Sequence, residues 1–215
     1  MTADTPTLAD QAYDAVEALV VTLELAPGAV FSESALGERV GIGRTPLREA
    51  LQRLAAQGLV VAMPRRGMRV AEIDLAGFRS LLDTRRVLDR LIARQAARRA
   101  TPDQRAALEA ATGGLVQAAH AGDLEAYLRA DRAGDERLAE AARNAFAARA
   151  AAPLHVRCRR FWYAYQHEAD IAHSAELHGH LTAAVLEADP DAAADAAQAL
   201  VDDLDGVARR LLDLS

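Results

Sequence analysis

The chain has 215 residues, 31 acidic against 25 basic side chains and a formal net charge of -6, and 51% of its residues are hydrophobic. This composition supports a packed core and excludes a disordered chain, and the length fits one or two domains. The single cysteine, Cys158, excludes a disulfide framework and a multi-cysteine zinc site. No apolar run approaches the roughly 18 residues of a membrane span, and the polar N-terminus lacks a signal pattern. We therefore expect a cytoplasmic protein with no membrane partner.

Residues 1–72 carry the pattern of a winged helix-turn-helix. Apolar spacing predicts a first helix over residues 8–25. Two shorter helices, joined by a glycine-containing turn, follow over residues 33–58. The runs LVVAM and MRVAEI then predict a two-stranded wing, whose turn carries Arg65 and Arg66.

Residues 73–215 show helical periodicity and no convincing strand. The predicted helices span residues 75–99, 102–120, 123–143, 145–167, 169–188 and 190–213. Their stops include Pro102, Gly122 and Pro153. Six helices of this length, with apolar residues three and four apart, bury one another in an antiparallel bundle. The predicted fold class is therefore mainly α, with an N-terminal winged helix-turn-helix domain and a C-terminal all-helical domain.

Basic residues are concentrated in the N-terminal domain. Six arginines oppose three glutamates between residues 28 and 68, although the whole chain is acidic. Arg44 and Arg48 lie one turn apart at the start of the second short helix, where a helix-turn-helix reads base edges and arginine bonds guanine. Thr45, Ser32 and the free N–H groups at the two helix starts suit a phosphate. The pattern indicates binding to double-stranded DNA; the alternative is a solvated, arginine-rich helix face.

The stretch LAPGAVFSESALGERVGIGRTPLREALQRLAAQGLVVAMPRRGMRV resembles the DNA-binding domain of GntR-family bacterial transcription regulators. In that family a PG turn, an SRTPVREAL-like recognition helix, a GLV strand and an RG-containing wing occur in this order. Gly43 stands where the family usually has a capping Ser. The resemblance assigns the operator contacts to residues of the recognition helix and of the wing tip, namely Arg44, Thr45, Arg48, Arg66 and Gly67.

The C-terminal domain resembles the FCD effector domain of the fatty-acid-regulator (FadR-type) branch. The motifs are LLDTRRVLDRLIARQAARRAT, YLRADRAGDERLAEAARN and SAELHGHLTAAVLEADPDAAADAA. The resemblance implies a helical bundle that binds a small ligand, commonly a carboxylate, and often a divalent metal ion. It also implies that Arg85 clamps a ligand carboxylate. The alternative is an ion pair between Arg85 and Asp89 along one helix.

The metal ligands that the resemblance implies are only partly present. Asp131 keeps the first position, and Asp135 stands where the family has a histidine four residues later. His178 matches the third ligand, and Leu200, which cannot bind a metal, stands at the fourth, with Asp202 and Asp203 within one turn of it. A divalent ion held by Asp131, Asp135 and His178 would be of a type that prefers oxygen ligands, such as Mg, Mn or Ca. Without a metal, Asp131 and Asp135 are partly solvated or bind an arginine or an amine of the ligand, and the sequence leaves both possibilities open.

Two further groups of residues receive expectations. The segment FWYAY at 161–165 places aromatic side chains on opposite sides of a helix, so we expect two of them at a ligand pocket and the rest in the core or at a dimer interface. His120, His155 and His167 match no motif, and we expect them at the surface.

These patterns predict a ligand-responsive transcription regulator that is not an enzyme. We expect a homodimer on a palindromic DNA operator, acting as a repressor that a small-molecule effector releases. One alternative is a metal-dependent enzyme in the bundle, against which stands the lack of a spaced Ser/His/Asp or Cys/His set. A second alternative is an architectural DNA binder whose bundle only dimerises and has no accessible cavity.

Overall fold

The structure is a computed structural model that describes residues 7–64 and 66–213, without the side chains of Glu168 and Asp213. Arg65, which the sequence analysis assigns to the wing turn, lies outside the described residues. The predicted fold class, a winged helix-turn-helix followed by a helical bundle, is confirmed. No helix in these ranges is both long enough and apolar enough to cross a membrane.

The first compact unit ends at Ile73. It contains α1 (Leu8–Val21), β1 (Val30–Phe31), α2 (Glu33–Val40), α3 (Arg44–Ala56), β2 (Val60–Met63) and β3 (Gly67–Val70). The three strands form an antiparallel sheet in the order β1-β3-β2. The predicted two-stranded wing was therefore incomplete, because Val30 and Phe31 add a third strand by pairing with Arg69 and Met68.

Helix α1 is shorter than its apolar spacing predicts. It begins with a capping box between Thr7 and Asp10, and it ends at Val21 rather than at residue 25. Leu23 takes a left-handed φ of 60°, which breaks the helix, and Leu25 reaches the core from the turn that follows. The core of this unit lies between α1 and α3 and contains the fully buried residues Val16, Val20, Leu47, Leu51 and Leu54.

The second unit begins at Asp74. It contains α4 (Leu75–Arg99), α5 (Pro102–Ala121), α6 (Leu124–Ala142), α7 (Ala145–Ala164), a 3-10 turn (Gln166–Glu168), α8 (Ile171–Leu186) and α9 (Pro190–Asp213). All six predicted helices are present. Pro153 is not a helix stop, since it lies inside α7, and α7 ends three residues before its predicted end at residue 167.

Polar caps and small side chains determine how these helices begin and pack. The capping side chains accept backbone N–H groups two or three residues further on, and they belong to Asp74, Thr101, Asp123, Asn144 and Asp170. Helix α4 packs against α6, α7, α8 and α9. Its contacts in the core use mostly alanine, among them Ala93, Ala96 and Ala97, near Ala193 and Ala197 of α9. Side chains this small let helix backbones approach closely.

Arg105 of α5 joins the ends of two other helices. Its guanidinium donates to the backbone carbonyl groups of Ala97 and Ala100 at the end of α4, and of Val185 and Leu186 at the end of α8. The last carbonyl groups of a helix have no partner within the helix, and they attract positive charge. One side chain therefore satisfies carbonyl groups at two helix ends.

Candidate functional site

The start of α3 differs from the start of the other helices in the first unit. Its cap, Gly43, makes no side-chain hydrogen bond, and its first turn contains no acidic residue, whereas α1 has Asp10 and α2 has Glu33 there. Arg44 is the first residue of the helix, and it is exposed together with Thr45. A cation is unfavourable beside the positive end of a helix dipole. This end of α3 is therefore suited to bind an anion.

Arg48 and Ser32 both interact with α2. The Arg48 guanidinium lies 3.1 Å from a carboxylate oxygen of Glu33, and both side chains are well exposed, so the pair adds little stability. The Ser32 hydroxyl caps α2 by accepting a backbone N–H in its first turn. In contrast, Arg44 and Arg66 have no ion pair with any residue that the structure describes. Two of the predicted DNA-reading arginines are thus available to a ligand outside the chain.

The wing tip requires a glycine. Gly67 has a φ of 88°, in the left-handed region, and a Cβ at this position would collide with the backbone oxygen of Phe31. Arg66, directly before it, is exposed in the turn between β2 and β3. The tight turn therefore displays an arginine at the end of the sheet.

The second unit encloses a cavity of about 100 Å³. All six of its helices contribute to the lining, and most of the wall is apolar: Ile92, Leu108, Leu115, Leu128, Leu181 and Leu204. All four residues that the sequence analysis assigns to the ligand, Arg85, Asp131, Asp135 and His178, also line it, as does Leu200. The fold therefore brings the predicted ligand-binding residues together.

A chain of paired charges begins at Arg85 on α4. The Arg85 guanidinium donates to Asp89 at 2.8 Å, and the two side chains are only 14% and 11% exposed. The other Asp89 oxygen lies 2.7 Å from Nε2 of His155 on α7. The Nδ1 atom of His155 lies 3.1 Å from a carboxylate oxygen of Asp135 on α6. Arg85 is therefore paired with Asp89, which is the alternative to a ligand contact that the sequence left open.

The same chain of charges continues to α8. Nη1 of Arg159 donates to Asp135 at 2.7 Å and lies 3.4 Å from Asp131. The second oxygen of Asp131 lies 3.3 Å from Nε2 of His178. We call this series of seven contacting side chains the charge network: Arg85, Asp89, His155, Asp135, Arg159, Asp131 and His178. It links α4, α6, α7 and α8 along the cavity wall.

His155 is not at the surface, and the expectation that placed it there was wrong. Its side chain is 10% exposed and lies between two carboxylates. Burial alone would lower the pKa of His155, but the charges of Asp135 and Asp89 raise it to about 9. Burial alone would likewise raise the pKa of Asp135, and the charge and hydrogen bond of His155 hold it below its ordinary value. His155 is therefore an imidazolium at neutral pH.

Two aromatic residues form one wall of the cavity. Trp162 is 8% exposed and stacks on Tyr127 with 5.1 Å between ring centroids, and the Tyr127 hydroxyl is 2.8 Å from that of Ser174. The buried indole N–H of Trp162 has no hydrogen-bond partner among the residues that the structure describes. Phe161 instead packs in the core against Phe78. One residue of the segment FWYAY, Trp162, therefore lines the cavity instead of the two that were expected; Phe161 is in the core, and the two tyrosines are half-buried.

Two family models match the chain. The model for bacterial regulatory proteins of the gntR family matches residues 8–70, and the model for the FCD domain matches residues 80–203, which is more than half of the chain. The protein belongs to the GntR family. Its first unit corresponds to the family's DNA-binding domain, and the charge network lies in its FCD domain.

Bacterial relatives of this GntR-family chain are regulators by name. The HTH-type transcriptional regulator YieP of Escherichia coli strain K12 is 30% identical over 198 residues, covering 83% of this chain and 85% of YieP. A Streptomyces ambofaciens regulator from an unstable DNA locus is 47% identical over 64 residues, covering 30% of this chain and 27% of that regulator. The E. coli repressor RspR is 34% identical over 94 residues, covering 44% of this chain and 41% of RspR. The chain thus matches less than half the length of the latter two.

A solved structure shows the same fold as this GntR-family chain. E. coli McbR/YncC matches it with a TM-score of 0.82 and 21% identity, over 97% of this chain and 100% of that one. The likeness extends over both units and is one of fold.

The residues of this FCD domain do not fit a divalent metal ion. The guanidinium of Arg159 contacts both Asp131 and Asp135, and Leu200 has no atom that can coordinate a metal. Within residues 7–64 and 66–213, no group of three or more His, Cys, Asp or Glu side chains is arranged to hold a metal. A cation of the protein itself therefore stands at these carboxylates.

Sequence reasoning missed two members of the charge network in this GntR-family protein, His155 and Arg159. A signal for them exists, because the two residues are four apart on α7, as Asp131 and Asp135 are on α6. Matching pairs of cations and anions at this spacing lie on one face of each helix and meet when the helices pack. The signal was hidden because α7 contains several arginines at similar spacings.

Proposed function

We propose that the protein is a transcription regulator that binds a DNA operator with its winged helix and a small effector in its FCD cavity. The observation that carries the proposal is the start of α3, where exposed Arg44, Thr45 and Arg48 surround a helix end without an acidic residue. An arginine pair at the start of a recognition helix reads guanine bases, and the free N–H groups bind phosphate. Because such a regulator acts on the chromosome of a bacterium, we place it in the cytoplasm.

The cavity supports a response to a small molecule, and it argues against the architectural DNA binder. Most of its wall is apolar, and we propose that the buried indole N–H of Trp162, which has no partner among the described residues, donates to an oxygen of the ligand. A small carboxylate is our leading class of effector, with that oxygen at Trp162 and His178. We propose no catalytic activity, because the side chains of the charge network are paired with one another. An effector acts by binding more tightly to one arrangement of the regulator than to another.

We further propose that the protein is a homodimer and a repressor. RspR, a relative of this chain, is named a repressor, and a two-fold dimer matches a palindromic operator. Val87 and Leu91 lie one turn apart on α4 and are 69% and 38% exposed, which suits a contact with a second copy. Light scattering after size exclusion is expected to show a dimer of 23.0 kDa chains that Val87→Asp weakens. A monomeric wild type would contradict the dimer.

The DNA-binding proposal is tested with an operator selected from a random DNA library by the wild-type protein. Fluorescence anisotropy then gives the affinity of Arg44→Ala and Arg48→Ala at several salt concentrations. Each variant is expected to lose about 1–3 kcal/mol of binding free energy if it reads a guanine, and wild-type binding should weaken steeply with salt. The matched control is Arg149→Ala, an exposed arginine in the other unit, with unchanged affinity. Unchanged affinity in both test variants would refute the proposed interface.

The effector proposal is tested with a panel of small carboxylic acids, sugars and amines. Binding is followed by the fluorescence of Trp162, the chain's only tryptophan, which lies in the cavity wall. A compound that changes this signal is expected to change operator affinity as well, and a repressor is released by it. If every compound that binds leaves operator affinity unchanged, the regulatory role of the cavity is refuted.

A further inference from the structure

The centre of the charge network is a guanidinium among acidic groups. Arg159 projects from α7 to Asp135 at 2.7 Å and to Asp131 at 3.4 Å. Its side chain is 10% exposed, and those of Asp131 and Asp135 are 15% and 20% exposed. Nε2 of His178 lies 3.3 Å from the other oxygen of Asp131. The guanidinium therefore pairs with both carboxylates, and the imidazole contacts one of them.

The three carboxylates of the network are already paired with arginines of the same chain. Arg85 is paired with Asp89, and Arg159 contacts both Asp131 and Asp135. A divalent cation between Asp131 and Asp135 would add two positive charges within a few ångströms of the Arg159 guanidinium. In a partly desolvated site such repulsion is strong, and it opposes metal binding.

We infer that Arg159 is a built-in cation that takes the place of a divalent metal ion, so that the effector cavity works without metal. The inference rests on the proposed function of the cavity. Asp131 and Asp135, one turn apart on α6, are held by one guanidinium that contacts both. An effector of this protein therefore meets arginine, histidine and indole donors rather than a coordinated ion.

The inference predicts a hidden metal site that a single substitution uncovers. Arg159→Ala removes the opposing charge, so that the side chains of Asp131, Asp135 and His178 are free to turn towards one metal ion. This variant is expected to bind Zn²⁺ or Mn²⁺ at least about tenfold more tightly than the wild type, because the nearby positive charge is gone. The added substitution Asp131→Ala should abolish the gain. The wild type is expected to bind no stoichiometric metal.

Metal ions alone are the probe in this experiment. Chelator-treated full-length proteins are dialysed against Zn²⁺ or Mn²⁺, and bound metal per chain and the thermal midpoint are measured. Arg159→Lys keeps the charge and is expected to stay metal-free, and Arg149→Ala controls for the loss of an exposed arginine on the same helix. If Arg159→Ala does not fold, Arg159→Gln, a neutral residue that still donates hydrogen bonds, takes its place.

Two results of the metal-binding experiment would overturn the inference. In the first, the wild type binds one metal ion per chain and the Asp131→Ala variant does not. In the second, a neutral Arg159 variant folds but binds no more metal than Arg149→Ala. Bound metal and the thermal midpoint are measured without an effector. A negative result therefore refutes the role inferred for Arg159 and does not bear on the proposed regulatory function. Once an effector is known, its release of the operator is expected to persist in chelator, and a response that only metal restores would also overturn the inference.

Discussion

Replacing His155 by glutamine is expected to remove most of the pH dependence of stability of the second unit between pH 6.5 and 9. In the folded protein Asp135 and Asp89 raise the pKa of His155 from 6.5 to about 9, against the opposing effect of burial. At about 1.4 kcal/mol for each pKa unit, this difference corresponds to about 3 kcal/mol of stabilisation. Glutamine keeps a hydrogen-bonding side chain of similar reach but carries no charge.

The direction of the effect follows from where the proton is bound. Below pH 6.5 His155 is protonated in the folded and the unfolded protein, so the full stabilisation is present. Between pH 6.5 and 9 only the folded protein holds the proton, and the free energy of unfolding falls by up to about 1.4 kcal/mol per pH unit. Above pH 9 the contribution is lost. Asp89 and Asp135 stay ionised throughout this range because the pKa of each is below its ordinary value.

Urea unfolding followed by Trp162 fluorescence measures this effect directly. The chain's only tryptophan lies in the second unit, so the signal reports the unit that contains His155. The measurement compares wild type, His155→Gln and the control His167→Gln, an exposed histidine, at pH 6, 7, 8 and 9. The control should follow the wild type, and His155→Gln should be less stable at pH 6 and nearly flat above it. Equal slopes in wild type and His155→Gln would refute the assigned proton.

Two further substitutions test the wing and the cavity wall. Gly67→Ala forces a Cβ against the Phe31 carbonyl at a left-handed φ, so it should destabilise the first unit by about 1–3 kcal/mol and weaken operator binding. Thermal unfolding measures the stability, and fluorescence anisotropy measures the operator affinity. A variant with unchanged stability and affinity would contradict the described turn. Tyr127→Phe removes a buried hydrogen bond to Ser174 and should lower the free energy of unfolding in urea by about 1 kcal/mol. The loss should be smaller in a Ser174→Ala background. Equal losses in both backgrounds would show that this hydrogen bond does not stabilise the protein.

Most of the helical architecture could be predicted because its signals are local. Helices α4 and α9 have the predicted bounds, since Asp74, Thr101 and the Asp189-Pro190 pair determine the helix limits through backbone chemistry next to them in sequence. Strand β1 could not be predicted, because two residues show no alternation and become a strand only by pairing with β3. The end of α1 was missed for a similar reason, since Leu25 continues the apolar spacing from a turn.

The sequence predicted which residues belong to the candidate site, but not which charged side chains pair with each other. Motif positions identified Arg85, Asp131, Asp135 and His178, and all four line one cavity. Which charge pairs with which depends on how α6 and α7 are rotated against each other, and this is a property of the packed bundle. The sequence therefore left the two interactions of Arg85 open, and it did not connect Arg159 on α7 with the acidic residues of α6.

The hydrogen bonds by which Arg105 joins two helix ends depend on the identity of only one side chain, that of Arg105 itself. Its acceptors at residues 97, 100, 185 and 186 are backbone carbonyl groups, which every type of amino acid supplies. These four positions are free to change over evolution as far as their packing allows, and the junction persists. Position 105 has no such freedom, because no other side chain offers five N–H donors in a planar fork. Among diverging relatives with this bundle, we expect the donor to be retained while its acceptors vary.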